Sequence, residues 1–250
     1  MVVWQSDALS VFGLAVEVTA GAAYVVGAHR ATRRRSWPVS ATVCFVAGLV
    51  ATALVLQSGL AAYDETYAVH VVQHVVLMSV VPLLLALGAP VTLLLRVANP
   101  RVARRVVGVL HSRPARALCG RSGAVHVPLE YYGLMFVFLL APVQRITTGN
   151  ELVHASSHLL LLTCGLLFWV PMVGRDPAPW RPTERTRIAA VAVGVPVNVL
   201  IAAVAGGWEL LAVSECAALL GLAVVCAWPR QRSARAPRNR PLAVAPAVRV

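Results

Sequence analysis

Two pairs of histidines are the candidate ligands for a metal or a haem in this chain. His70 and His74 lie in the stretch "HVVQH", and His154 and His158 lie in "HASSH". A separation of four residues places both imidazoles of a pair on one face of a helix. Imidazole is a ligand for copper, zinc and haem iron, so two such pairs brought together would bind a metal or a haem.

The same two motifs argue against a protease. Zinc metalloproteases of the HExxH type need a glutamate directly after the first histidine, where it acts as the general base. In this chain valine and alanine stand at those positions. The histidine pairs therefore predict a metal or haem site that is not a protease centre, and we expect a protein that is not an enzyme.

The composition shows which elements must position the histidines. The chain has 250 residues, a mean hydropathy of +0.74 and 13% charged residues, whereas a soluble domain carries about 25%. Apolar blocks of membrane-spanning length alternate with short polar joints, and a chain crossing a bilayer in this way must do so as helices. We expect an all-α fold, a polytopic membrane helix bundle of about seven transmembrane helices. The predicted spans are 8–28, 39–60, 68–95, 125–143, 152–173, 187–206 and 208–228.

The basic residues predict the topology of this bundle. All 22 basic residues are arginine, and 21 of them lie in alternate joints and in the C-terminal tail, with Arg145 as the exception. The positive-inside rule then places the N-terminus outside and the C-terminus in the cytoplasm. We accordingly interpret the net charge of +12 as a topology signal and expect no nucleic-acid partner. Residues 1–228 form the predicted membrane domain, and residues 229–250 a disordered basic cytoplasmic tail.

The topology gives the histidine pairs a common depth. Spans three and five both begin at the outer face, so all four imidazoles are expected in the outer leaflet, facing each other between the two helices. Polar groups inside a membrane are costly and are functional candidates by default. For the acidic ones the alternative is a carboxylate bonded to a neighbouring helix, and for the methionine it is core filling. The candidates for a supporting role are Glu17, Gln73, Met78, Glu151 and Glu215.

Two long stretches resemble a known family. "HVVQHVVLMSVVPLLLALGAPVTLLLR" and "NELVHASSHLLLLTCGLLFWVPMVGRDPAP" are similar to the two signatures of the CtaG-type cytochrome c oxidase assembly factors, which are bacterial multi-pass membrane proteins. The similarity extends from about Tyr24 to Pro179. The resemblance implies a protein of the bacterial cell membrane that helps to assemble a haem–copper oxidase, with copper delivery as its role. It also implies that the four histidines of the two pairs are the family's histidines.

The resulting hypothesis is a metallochaperone that binds copper in the outer leaflet. Its partners would be the lipid bilayer and the subunits of a cytochrome c oxidase. Two alternatives remain at this stage. A haem-binding membrane electron-transfer protein would clamp a haem between one histidine of each helix. A copper permease would need a polar path through both leaflets, which the inner halves of spans three and five do not offer.

Overall fold

The computed structural model of the chain describes residues 8–33, 36–58, 66–119, 123–138, 140–179, 181–205 and 208–227. The elements within these ranges are helices, as the sequence predicts. The Asp64–Glu65 joint and the tail 229–250 lie outside the described residues. The helices are α1 Ala8–Thr32, α2 Val39–Leu56, α3 Tyr67–Val75, α4 Val81–Gly88, α5 Pro90–Val97, α6 Pro100–Leu110, α7 Arg113–Cys119, α8 Gly123–Phe138, α9 Ala141–Thr148, α10 Glu151–Val173, α11 Glu184–Ala192, α12 Gly194–Ala205 and α13 Trp208–Ala227, with a π-helical turn at Val76–Val80 between α3 and α4.

Five helical segments among the described residues are long and apolar enough to cross a membrane, which is the organisation of a multi-pass membrane protein. Two further predicted spans differ from expectation. The fourth is divided into α8 and α9, and the described apolar part of the seventh, Ala212–Ala227, is shorter than the others. The number of seven spans and their orientation therefore stay predictions. The five segments are Ala8–Thr32, Val39–Leu56, Ala68–Val97, Leu152–Val173 and Glu184–Val204.

The centre of the bundle is the segment formed by α3, the π turn and α4. It packs against α2 on one side and against α10 and α13 on the others. One apolar cluster joins this segment to α8, α10, α11, α12 and α13, and a second cluster joins α1, α2 and α5. The outward sides of the helices carry exposed apolar residues, including Phe12 and Leu129. Such a surface suits lipid, because lipid tails are as apolar as the side chains they meet.

The third predicted span is broken near its C-terminal end. Ala89 adopts a left-handed conformation with φ 51°, and α5 starts anew at Pro90. A break in a membrane helix frees backbone groups that lipid cannot satisfy. Here other side chains satisfy them. Tyr24 donates to the carbonyl of Gly88 at 2.6 Å, and Arg175 donates to that of Leu87 at 2.5 Å.

Asp176 joins Tyr24 and Arg175 at this break, and we call these three residues the clamp. Its carboxylate accepts hydrogen bonds from the backbone N–H groups of Val91 at 3.2 Å and Thr92 at 2.7 Å, and so caps the start of α5. A negative charge at a helix N-terminus is favourable because the free N–H groups and the helix dipole point at it. Since Arg175 and Asp176 follow the C-terminus of α10 closely, they fix that end of α10 against the broken span.

The arginine-rich joint between α5 and α8 is helical. Asn99 caps α6 by accepting a hydrogen bond from the N–H of Val102 at 2.9 Å. Arg101, Arg104 and Arg105 share one side of α6, and the helix has no buried residue. α6 is therefore an amphipathic helix.

Arg187 differs from the other arginines of the joints. The sequence places it with the loop arginines, but the structure buries it completely within α11. Its guanidinium donates to the backbone carbonyls of Met172 and Val173, at the end of α10. The carbonyls at a helix C-terminus lack partners within the helix, and a cation is favourable beside them. Arg187 thus contributes to the packing of α11 against the end of α10 and is not exposed to lipid headgroups.

Candidate metal centre

α3 and α10 bring the four histidines of the two motifs into one cluster, which we call the histidine ring. Within each helix the imidazole centroids lie 3.9 Å apart for His70 and His74 and 4.2 Å apart for His154 and His158. Across the two helices they lie 5.7 Å apart for His70 and His154 and 5.4 Å apart for His74 and His158. The two pairs thus face each other, and each imidazole contacts two others.

The nitrogens of the histidine ring are close enough for a shared ion. Ligand nitrogens of His70, His74 and His154 all lie within 4.8 Å of one another. Two nitrogens on the same ion lie at most about 4 Å apart, since each metal–nitrogen bond is roughly 2 Å long. Small side-chain rotations would close that difference. The structure therefore contains a possible site of three histidines, and His158 contacts two of its members.

Burial divides the histidine ring into two halves. His70 and His74 are 0% and 3% exposed, whereas His154 and His158 on α10 are half-buried. Among the described residues, no acidic side chain belongs to the group of neighbouring ligand atoms. The donor set is therefore neutral nitrogen, and a bound ion would keep its full positive charge.

The start of α10 sets the position of its histidines. Asn150 is the N-cap, and its side chain accepts a hydrogen bond from the N–H of Val153 at 3.2 Å. Asparagine is among the best N-cap residues because its short side chain reaches these free N–H groups. His154 then follows one turn into the helix, and His158 lies one turn further. The local sequence "NELVHASSH" therefore fixes both the helix start and the imidazole spacing.

The π turn sets the approach of α10 to the helix of the first pair. Pro82 has no N–H to donate to the carbonyl of Met78, and its ring would clash with that carbonyl in a regular α-helix. The chain instead widens into a π turn just before Pro82, with the N–H of Val81 bonded to Val76. The Met78 carbonyl then lies against Gly165, where a Cβ would overlap it. Such turns are frequent at functional sites.

Gln73 and Met78, two of the predicted supporting residues, border the histidine ring. Gln73 is 2% exposed, and its amide donates to the backbone carbonyl of Val55 at 3.3 Å, which ties α3 to α2. Met78 lies one turn beyond His74 and lines the same small void as that histidine. Both positions agree with a supporting role, which stays a prediction.

The three acidic candidates have different surroundings. Glu17 accepts a hydrogen bond from the Gln57 amide at 3.1 Å, between α1 and α2. Glu215 is half-buried on α13, which packs against α3. The side chain of Glu151 lies outside the described residues. Neither Glu17 nor Glu215 belongs to the group of neighbouring ligand atoms formed by His70, His74 and His154. The structure therefore does not place either carboxylate as a metal ligand at this site.

The structure adds neighbours that the sequence did not indicate. Phe138 presents an edge-on contact to His74, with ring centroids 5.8 Å apart. Met135, one turn earlier on α8, borders the void beside His74. The two residues of α8 are apolar residues in an apolar span, so no spacing rule separates them from ordinary core residues.

Comparison with known proteins finds relatives in mycobacteria. The chain is 33% identical over 209 residues to the uncharacterized proteins Mb0105 of Mycobacterium bovis and MT0111 of Mycobacterium tuberculosis, which covers 79% of this chain. It is 28% identical over 205 residues to the uncharacterized protein ML1998 of Mycobacterium leprae, covering 78% of this chain. Each of these matches spans 30% of the relative's length. No solved structure matches the chain.

The family resemblance noted in the two histidine motifs is confirmed over most of the sequence. Residues 22–205 match the family described as cytochrome c oxidase caa3 assembly factor. This range includes α2 to α12 with both histidine pairs, the π turn and the clamp. The chain therefore belongs to the Caa3_CtaG family of cytochrome c oxidase caa3 assembly factors.

Proposed function

We propose that this protein binds copper at the histidine ring and supplies it during the assembly of a cytochrome c oxidase, without being an enzyme. The observation that carries the proposal is the meeting of two histidine pairs from separate helices, at contact distance, in a chain of the caa3 assembly-factor family. Polar side chains inside a membrane bundle are functional candidates by default, and a metal ion is a ligand that uses several imidazoles at once.

The proposal includes a location and a topology. The protein lies in the bacterial plasma membrane with seven spans, its N-terminus outside and its C-terminus in the cytoplasm. The distribution of 21 of the 22 arginines supports this orientation, and it places the histidine ring in the outer leaflet. The half-buried histidines of α10 are then the side from which an ion reaches the two buried ones.

Copper is the metal favoured by the donor set together with the family. Imidazole binds zinc, copper and iron, and among divalent ions copper has the highest affinity for such sites. The fit is chemical as well as geometric, because the ring supplies neutral nitrogen and no described carboxylate. Facing imidazoles in contact suit a single ion better than a haem, whose flat macrocycle would first have to separate them. We therefore rank the haem protein second and the copper permease third.

The test removes one imidazole from each helix. We expect the purified variant His74→Ala with His158→Ala to insert normally, because the apolar spans are unchanged, and to lose copper binding. The expected loss is at least about 100-fold in affinity, since even the hydrogen-bond partners of metal ligands contribute about 10–100-fold. Competition with a chromophoric chelator measures it. The matched control removes His29 and His111, which are exposed and bonded elsewhere, and should bind like the wild type.

The same proteins decide between the functions. In cells, the ring variant should leave a terminal oxidase that contains haem and lacks copper, and the control should not. Equal copper binding by the ring variant and the wild type would contradict the proposal. A visible haem spectrum in the wild type, lost in the variant, would support the haem protein instead. A general defect in cellular copper, reversed by added copper, would support the permease.

A further inference from the structure

A small void lies directly inward of the histidine ring. It is too narrow for a water molecule, and His74, Met78 and Met135 border it together with apolar residues. Its complete lining is His74, Val75, Met78, Met135, Phe138 and Leu161.

The two methionines reach this void from different helices. Met78 follows His74 by one helical turn, within the π turn, and is 1% exposed. Met135 comes from α8 and is 5% exposed. Both belong to the central apolar cluster. An imidazole and two thioethers therefore converge where every other lining group is a hydrocarbon.

The chemistry of these three side chains differs from that of the histidine ring. Thioether sulfur is a soft ligand that selects cuprous copper, whereas divalent ions prefer nitrogen and oxygen. An apolar void disfavours charge, so a singly charged ion is less costly there than a divalent one. His74 belongs to both groups of ligands. It is therefore the residue through which the two could exchange an ion.

We propose that His74, Met78 and Met135 form a second metal site, specific for a cuprous ion, beneath the histidine ring. This inference rests on the proposed function and specifies the oxidation state of its cargo. An ion passes between the sites by ligand exchange. Its bonds to the other histidines break while bonds to the two sulfurs form, the bond to His74 is kept, and the charge of the ion does not change. The sulfur site would hold cuprous copper and exclude divalent metals.

The test compares two metal probes on purified full-length protein. Ag⁺ is a soft, redox-inert substitute for cuprous copper, and Zn²⁺ reports on the histidine ring. We expect Met78→Leu with Met135→Leu, which keeps the volume of the side chains, to lower the Ag⁺ affinity by at least about tenfold more than the Zn²⁺ affinity. X-ray absorption of the Ag⁺-loaded wild type should show sulfur scatterers, and the variant should lose them.

Met172→Leu is the matched control. Met172 belongs to the same core cluster and is 0% exposed, but it lies near the inner end of α10 and does not line the void. We expect wild-type binding of both probes and wild-type thermal stability. Because methionine and leucine have similar volumes, both variants should fold.

The outcomes separate this inference from the proposed function. Unchanged Ag⁺ affinity or absent sulfur scattering in the wild type, with Zn²⁺ still bound, overturns the sulfur site and leaves the histidine ring standing. Equal loss of both probes in the double methionine variant also overturns it, since the methionines would then only support the ring. A wild type that binds neither probe defeats the proposed function itself.

Discussion

Replacing Gly165 with alanine should disturb the histidine ring from two turns away. An added Cβ would overlap the Met78 carbonyl and lie 2.5 Å from Cγ of Pro82. Carbon atoms in contact normally lie at least about 3.5 Å apart, so α10 must move away from the π turn by roughly 1 Å. Neither neighbour is a flexible side-chain end. Overpacking of this kind costs about 1–3 kcal/mol of stability.

The same displacement reaches the metal ligands. Gly165 lies seven residues from His158, about 10 Å along α10. A metal site tolerates changes of only about 0.2 Å in its bonds. Because the imidazoles already have to rotate to share an ion, a further separation of roughly 1 Å between the helices should weaken the site. We expect the Zn²⁺ or copper affinity of Gly165→Ala to fall at least about tenfold, as for other disturbed metal sites.

The matched control is Gly133→Ala, on α8. A Cβ there meets nothing within 4 Å, and alanine is the better helix former by up to about 1 kcal/mol. Its melting temperature should equal or exceed that of the wild type, with unchanged metal affinity. Chelator competition and thermal melting in detergent measure both quantities. If Gly165→Ala binds the metal with wild-type affinity, the contact of Gly165 with Met78 and Pro82 does not control the histidine ring. If its melting temperature is also that of the wild type, the close contact itself is refuted.

Two other predictions concern the clamp and the topology. Burial raises the pKa of Asp176, despite the hydrogen bonds from Thr92 and Val91. The cost of burying the charged carboxylate thus outweighs its favourable position at the start of α5, and folding favours the protonated side chain. The contribution of Asp176 to the free energy of unfolding is complete below its ordinary pKa of about 4 and is lost as pH rises through the raised pKa. As pH rises across this range, the melting temperature of Asp176→Asn should increase relative to that of the wild type. A difference in melting temperature that does not change with pH would contradict the raised pKa. In a cysteine-free background, Asp64→Cys should react with impermeant reagents from outside and Val109→Cys from the cytoplasm; the reverse would move the histidine ring to the inner leaflet.

The class of the fold and the main candidate residues can be predicted from the sequence alone. Apolar blocks force helices because a membrane leaves no other way to satisfy the backbone. The spacing of four residues places His70 with His74, and His154 with His158, by helix geometry alone. Short-range rules suffice for both conclusions, since each depends only on neighbours within one helix.

The break in the third predicted span and the burial of Arg187 depend on contacts between helices that are distant in sequence. The break at Ala89 depends on Tyr24, Arg175 and Asp176 supplying its missing hydrogen bonds, and all three are distant in sequence. Arg187 also departs from its predicted place among the loop arginines, since only packing brings it to the end of α10.

The contact between the two histidine pairs likewise needs two separate segments. Gly165 permits it, because the absence of a Cβ lets the helices approach at the π turn. Met135 has the same kind of dependence. In the sequence it is one apolar residue in an apolar helix, and only the packing of α8 places it beside His74. Periodicity reports which face a residue shares within its own helix, whereas the neighbour of that face is set by how the helices pack.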